Sequence, residues 1–250
     1  VCSYDRGGYG WSDPPVNGDR SSAEVTKELH TLLENAGVKP PYILVGHSLG
    51  GLNIRVYNGA YPGEVVGAVF VDSSHPDQVQ KMTPGMREMF RNSTKSLRQQ
   101  IRYLPFMIDF GVMRFTEHRD HSLDQYPRDF IDEVNYLQQS VPFTKALLGE
   151  LEDFDKSAEQ ARNSGDFGSK PVVVLTAGKE ADVPGLSKQD SGDFHRTWVS
   201  ELQPQLGRLS TNGKQVVVPN SGHMIPFEAP QTVVDAVREV FGGTAVKQSP

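Results

Sequence analysis

"YILVGHSLGGLNI", residues Tyr42 to Ile54, sets a serine flanked by glycines between two apolar runs. Tyr42 to Val45 suits a buried parallel strand. Helical periodicity from about Leu49 to Tyr61, stopped by Pro62, follows it. Between them Gly46 and Gly50 bracket Ser48 as G-x-S-x-G. A nucleophile on a parallel sheet has to project beyond the carboxyl ends of the strands, and a sharp strand-to-helix turn achieves this by straining its backbone. So tight a turn requires small residues two before and two after the serine, here Gly46 and Gly50. A helix that starts at the serine aims its free N–H groups and positive dipole end at any oxyanion formed there, the N–H of Leu49 first. A glycine-rich connection with an incidental serine is the plain alternative. The strand before and the helix after favour Ser48 as a nucleophile.

Outward from this turn, strands and helices alternate. Ser21 to Ala36 places Val25, Leu29, Leu32, Leu33 and Ala36 on one helical face, with a capping box of Ser21 and Glu24 and a stop at Gly37. Val65 to Asp72 ("VVGAVFVD"), Pro171 to Gly178 ("PVVVLTAG") and Lys214 to Pro219 ("KQVVVP") read as strands. Helices are expected around Phe194 to Leu209 and from about Phe227 to Phe241, and the tail "GGTAVKQSP" as frayed. Val1 to Tyr4 reads as a further short strand before the turn "DRGGYGWSDPP". From Pro76 to Asn163 the alternation gives way to helical periodicity broken by Pro and Gly. The expected architecture is an α/β core, residues 1–75 and 164–250, with a mostly parallel sheet flanked by helices and a helical insertion over 76–163.

Composition narrows the function classes. The 250 residues are 37% hydrophobic and 22% charged, with a net charge of −6, which disfavours nucleic acid as a partner. No run of ~18 apolar residues occurs, as a membrane-spanning helix would need. Cys2 is the only cysteine, so neither an internal disulfide nor a Cys-based zinc site can form, and a reducing, cytoplasmic compartment is favoured.

The segments "YDRGGYGWSD", "GHSLGG", "VFVDSSHPDQ" and "NSGHMIPFEAP" together resemble the α/β-hydrolase superfamily, in its lid-bearing esterase-like branch. The resemblance implies Ser48 as nucleophile and His223, on the loop after the final strand, as general base. His47 reads as structural, His75 as close to the site, and His30, His118, His121 and His195 as solvated. The acid is left open between two turns. The usual superfamily position follows "VVVLTAG" and offers Glu180 and Asp182, although Asp182 stands 41 residues before His223, a long separation for this family. Some relatives use an acid after the preceding strand, which here is Asp72 and is preferred. Asp72 could also simply cap its turn.

The family's second oxyanion donor lies on a loop before this chain's first strand, which resembles the fourth of the family. A fragment of a longer protein, poorly active by itself, is therefore expected. In the insertion, Lys81 to Arg114 carries seven basic residues (Lys81, Arg87, Arg91, Lys95, Arg98, Arg102 and Arg114) against Glu88 and Asp109. Met82, Met86, Met89, Met107 and Met113 fall there too, suiting a pliable lid over a hydrophobic acyl group. An ordinary lid with a solvated basic face is favoured over contact with an anionic membrane surface.

The expected function is hydrolysis of a small hydrophobic carboxylic ester through an acyl-enzyme, with no metal or organic cofactor implied. The alternatives are a non-catalytic hydrolase-like binder, or cleavage of amide, thioester or carbon–carbon bonds.

Overall fold

The computed structural model describes residues 1–15, 18–110 and 126–245. Met113, Arg114, His118, His121 and the last residues of the tail lie outside them. The chain divides into two compact units, Val1–Ser21 with Phe90–Phe154, and Ser22–Met89 with Asp155–Pro250.

The second unit holds the sheet. Its elements are α1 (Ser22–Asn35), β1 (Tyr42–His47), α2 (Gly50–Ala60), β2 (Val65–Val71) and α3 (Gln78–Lys81). The helix α4 (Pro84–Asp109) begins here and runs on into the other unit. After α5 (Arg128–Gln138), α6 (Val141–Glu152) and α7 (Phe154–Asn163) come β3 (Val172–Ala177) and α8 (Lys188–Thr197). A π-helical turn over Trp198–Leu202 leads into α9 (Gln203–Gly207), then β4 (Gly213–Val218), α10 (Ile225–Glu228) and α11 (Pro230–Ala245). The four strands pair in parallel in the order β1-β2-β3-β4, with Val45 opposite Val69 and Val71 opposite Leu175.

Because successive side chains alternate across a strand, the apolar runs feed two cores. Leu44, Ala68, Phe70, Val172 and Val174 face Ile54 and Tyr57 of α2 and Leu206 of α9. Val69, Val71, Val173, Leu175 and Val218 face Ala236 and Val240 of α11. Each of the Val, Leu, Ile and Phe side chains among them contributes roughly 1.5–3 kcal/mol on burial. On α1, Leu29 and Leu33 pack against the first core, whereas Leu32 and Ala36 are exposed. The contact stripe is the i, i+4, i+8 row of Val25, Leu29 and Leu33, and Leu32 stands at its margin. The first N–H groups of α1 are received by α7, Ser22 N–H by Ser157 Oγ at 2.9 Å and Ala23 N–H by Gln160 Oε1 at 2.8 Å.

One expected strand does not form. Val1 to Tyr4 is exposed and irregular. An extended segment becomes a strand only when a neighbour takes its N–H and C=O groups. Among the described residues β1 has β2 as its one neighbour, and its Val45 is 47% exposed.

The first unit is helical, and its N-terminal segment is held by ions. Arg6 grips the buried Glu150 of α6 through Nε and Nη2 at 2.8 and 2.9 Å, and the Tyr9 hydroxyl donates to the same carboxylate at 2.7 Å. Burial together with Glu150 pushes the Tyr9 phenol far above its ordinary range. Gly8, at φ 85°, passes so close to Ala146 that no side chain fits. Among the described residues no helix is long and apolar enough to cross a membrane.

Candidate active site

Ser48 sits in the left-handed region at φ 53°, between the end of β1 and the start of α2. For a residue with a side chain this conformation costs on the order of 1–3 kcal/mol. The glycines that permit the turn are not the expected pair. A Cβ on Gly46 would lie 2.5 Å from the carbonyl oxygen of Gly50, so Gly46 has to be glycine. A Cβ on Gly50 would meet open space, whereas one on Gly51 would lie 2.4 Å from Ser73 Cβ. What crowds the helix start is the turn of the neighbouring strand. Leu49, helical in its own backbone, precedes the first residue of α2, and its N–H is among those an α-helix leaves without an internal acceptor.

That neighbouring turn follows β2, and it too is strained. Asp72 has φ 39°. The two turns are joined by backbone bonds. Ser48 N–H donates to Val71 O at 3.2 Å, and Ser74 N–H donates to Ser48 O at 2.8 Å. Ser73 Oγ donates to Gly46 O at 2.7 Å.

The left-handed turn directs the Asp72 carboxylate into the protein, where it is 4% exposed and accepts three contacts. Oδ1 receives the Ala177 N–H at 2.9 Å and the Trp198 indole N–H at 2.8 Å. Oδ2 lies 2.6 Å from Nδ1 of His223. With a carboxylate as acceptor, Nδ1 carries the hydrogen and Nε2 is left with a lone pair. The His223 ring is half exposed while its partner is buried.

His223 lies on the loop between β4 and α10, pinned from several sides. Gly178 N–H and Lys179 N–H, just past β3, both donate to Ser221 O, at 3.1 and 3.0 Å. Gly222 N–H donates to Glu228 Oε2 at 2.9 Å. His47 Nε2 lies 2.8 Å from the carbonyl oxygen of His223, and the two imidazole rings are 4.7 Å apart. Burial lowers the pKa of His47, so the ring next to Ser48 is a neutral donor to that carbonyl at neutral pH.

The other candidates fall elsewhere. Glu180 is exposed and leans on α8 beside Gly192, and Asp182 is exposed in the same loop. The carboxylate that meets His223 is Asp72. His75 is buried, and its Nδ1 accepts the N–H of Asp77 at 3.1 Å, which commits the ring to its own turn. His30, expected in solvent, stacks on Tyr61 at 3.8 Å and meets Glu64 at 3.1 Å. His195 is half-buried on α8. Trp198 and the carbonyl contact of His47 carry no sequence signal at all, since each acts across a distance the chain closes only on folding.

Known proteins match at the level of family and fold. A protein of Hormonema carpetanum named as a probable transporter is 26% identical over all of this chain, which spans 36% of that protein's length. The uncharacterized protein YqjL of Bacillus subtilis is 31% identical, again over the whole chain, which spans 76% of it. Among solved structures, a thermophilic esterase from Thermogutta terrifontis superposes with a TM-score of 0.62 at 22% identity, over 96% of this chain and 78% of that one. The family model described as "Alpha/beta hydrolase family" matches residues 1–236. A parallel sheet carrying a strained serine turn, matched over nearly its whole length by that model, places the chain in the alpha/beta hydrolase family.

Proposed function

We propose that the protein is a serine hydrolase that cleaves a small hydrophobic carboxylic ester through an acyl-enzyme. The observation that carries this reading is the 2.6 Å contact between His223 Nδ1 and the buried Asp72, beside a serine held at φ 53°.

In this reading Ser48 Oγ attacks the ester carbonyl carbon while its proton passes to Nε2 of His223. The carbonyl π electrons move to oxygen, and the oxyanion is met by the N–H of Leu49 and the positive end of α2. Collapse of this intermediate breaks the bond to the alcohol, which leaves with the proton from Nε2. Water then repeats the sequence on the acyl-serine, His223 taking its proton and returning it to Ser48 Oγ. The Asp72 carboxylate holds the imidazole in the required tautomer and offsets the positive charge it acquires twice per cycle. An esterase among the structural neighbours supports acyl transfer as the reaction class.

The test is covalent labelling of the whole protein with a fluorophosphonate probe. Wild type is expected to label and Ser48→Ala to remain unlabelled. A folded wild type that stays unlabelled refutes the reading.

A further inference from the structure

The Asp72 carboxylate has a side-chain partner that no motif announces. We infer that Trp198 is the positioning residue of this acid, and that the π-helical turn over Trp198–Leu202 exists to deliver it. The inference rests on the hydrolase reading for its catalytic meaning and on geometry for the coupling itself.

Two side chains on the segment reach the turn after β2, and they reach successive residues. Trp198 Nε1–H donates to Asp72 Oδ1 at 2.8 Å. Gln203, fully buried, donates from Nε2 to Ser73 O at 2.7 Å. They are five residues apart. In an α-helix, at about 100° per residue, such a pair sits about 140° apart around the axis, on different faces. Here the N–H of Gln203 bonds to the carbonyl of Trp198, the i→i+5 bond of a π turn, which sets one residue above the other. Pro204 favours the widened turn, because it has no N–H to give and its ring crowds the carbonyl four residues before it. The segment is also fixed to the sheet. Gln215 of β4 donates from Nε2 to Val199 O and to Thr176 Oγ1, both at 3.0 Å. The indole packs on Phe194, with ring centres 5.7 Å apart.

The indole therefore arrives with little freedom, and its N–H fixes the rotation of the carboxylate. Oδ1 is occupied by Ala177 N–H and Trp198 Nε1–H, so Oδ2 alone faces His223. A carboxylate held by two donors is a weaker base than one held by a single donor, so Trp198 sets both the direction in which Asp72 accepts from His223 and how strongly it does so.

The experiment removes the N–H while keeping an aromatic ring. Trp198→Phe, and separately benzothienylalanine introduced at position 198, whose sulfur replaces the indole N–H in a ring of nearly the same shape, are compared with wild type in the whole protein. The Nδ1–H proton of His223 is observed by NMR, a measurement that needs no turnover, because its resonance moves downfield as its bond to the carboxylate strengthens. Loss of the indole donor leaves Asp72 a stronger acceptor, so the resonance is expected to move downfield in both variants. On an ester substrate, kcat is expected to fall about tenfold with KM within twofold. A resonance that stays or moves upfield in the folded benzothienylalanine protein overturns the inference, even if Ser48 still labels. If wild type fails to label but the His223 resonance moves as expected, the hydrolase reading falls and the positioning stands.

Discussion

The neighbouring strands β2 and β3 both end in turns that carry carboxylates, and the two turns do opposite things with them. After β2, a left-handed residue sends its side chain into the protein, and Asp72 is received by two N–H donors and an imidazole. After β3, the chain stays near solvent, Glu180 and Asp182 are exposed, and what reaches the site is backbone: the N–H groups of Ala177, Gly178 and Lys179. One turn supplies the carboxylate that meets His223 and the other supplies donors that hold that carboxylate and the histidine loop. The direction of one backbone torsion separates the roles, and a count of acidic residues does not.

The largest expected effect tests this division directly. Asp72→Asn should lower kcat on an ester substrate about 10⁴-fold with the fold intact, because the amide presents a donor where His223 needs an acceptor. A loss under tenfold would break the comparison. Next comes pH. Burial holds His75, in the same turn, at a pKa of about 4, against the opposing pull of Asp77 and with help from Arg55 and Arg162. The unfolded chain binds this proton near 6.5 and the folded one near 4, so the contribution of His75 is complete above pH 6.5 and is lost as pH falls to 4. Urea titrations at pH 7.5 and pH 4 should show wild type losing about 3 kcal/mol more than His75→Asn. Equal losses would refute a buried, neutral His75.

The turn after β3 can be tested through its glycine. A Cβ on Gly178 would lie 2.6 Å from Pro219 Cα and 2.7 Å from Val218 O. Gly178→Ala should cost about 1–3 kcal/mol in a urea titration and reduce fluorophosphonate labelling, because the displaced strand end carries the His223 loop. Undiminished stability would mean that β3 does not pin this loop. The smallest effects are expected for Glu180→Gln and Asp182→Asn, each within about 0.5 kcal/mol in stability and twofold in kcat. A large loss of turnover from either would return the acid to β3.

The same comparison explains what could be read from the sequence. The strands were legible because apolar runs such as "VVGAVFVD" and "VVVLTA" fill two cores at once. Ser48 and the loop of His223 were legible because local rules, a strand end and small residues, describe them. The carboxylate that meets His223 is not legible between two turns because its partner lies 151 residues further on, and what brings the pair together is a positive φ and two donors from other elements. Gly50 and Gly51 illustrate the same limit. The five-residue motif picks Gly50, but the neighbour that demands glycine is Ser73, and it crowds Gly51. Val1 to Tyr4 is the converse case, since among the described residues no ladder receives its strand-like composition.

The bonds between the two strained turns bear on how activity is lost. Ser48 and Ser74 amides donate to carbonyls on the opposite turn, in both directions. Opening either turn breaks the support of the other, so both amides should exchange with solvent in a single event. The pair then behaves as one cooperative unit. In the proposed mechanism, heat or denaturant would then remove nucleophile and acid together, and a half-formed site would have no stable existence.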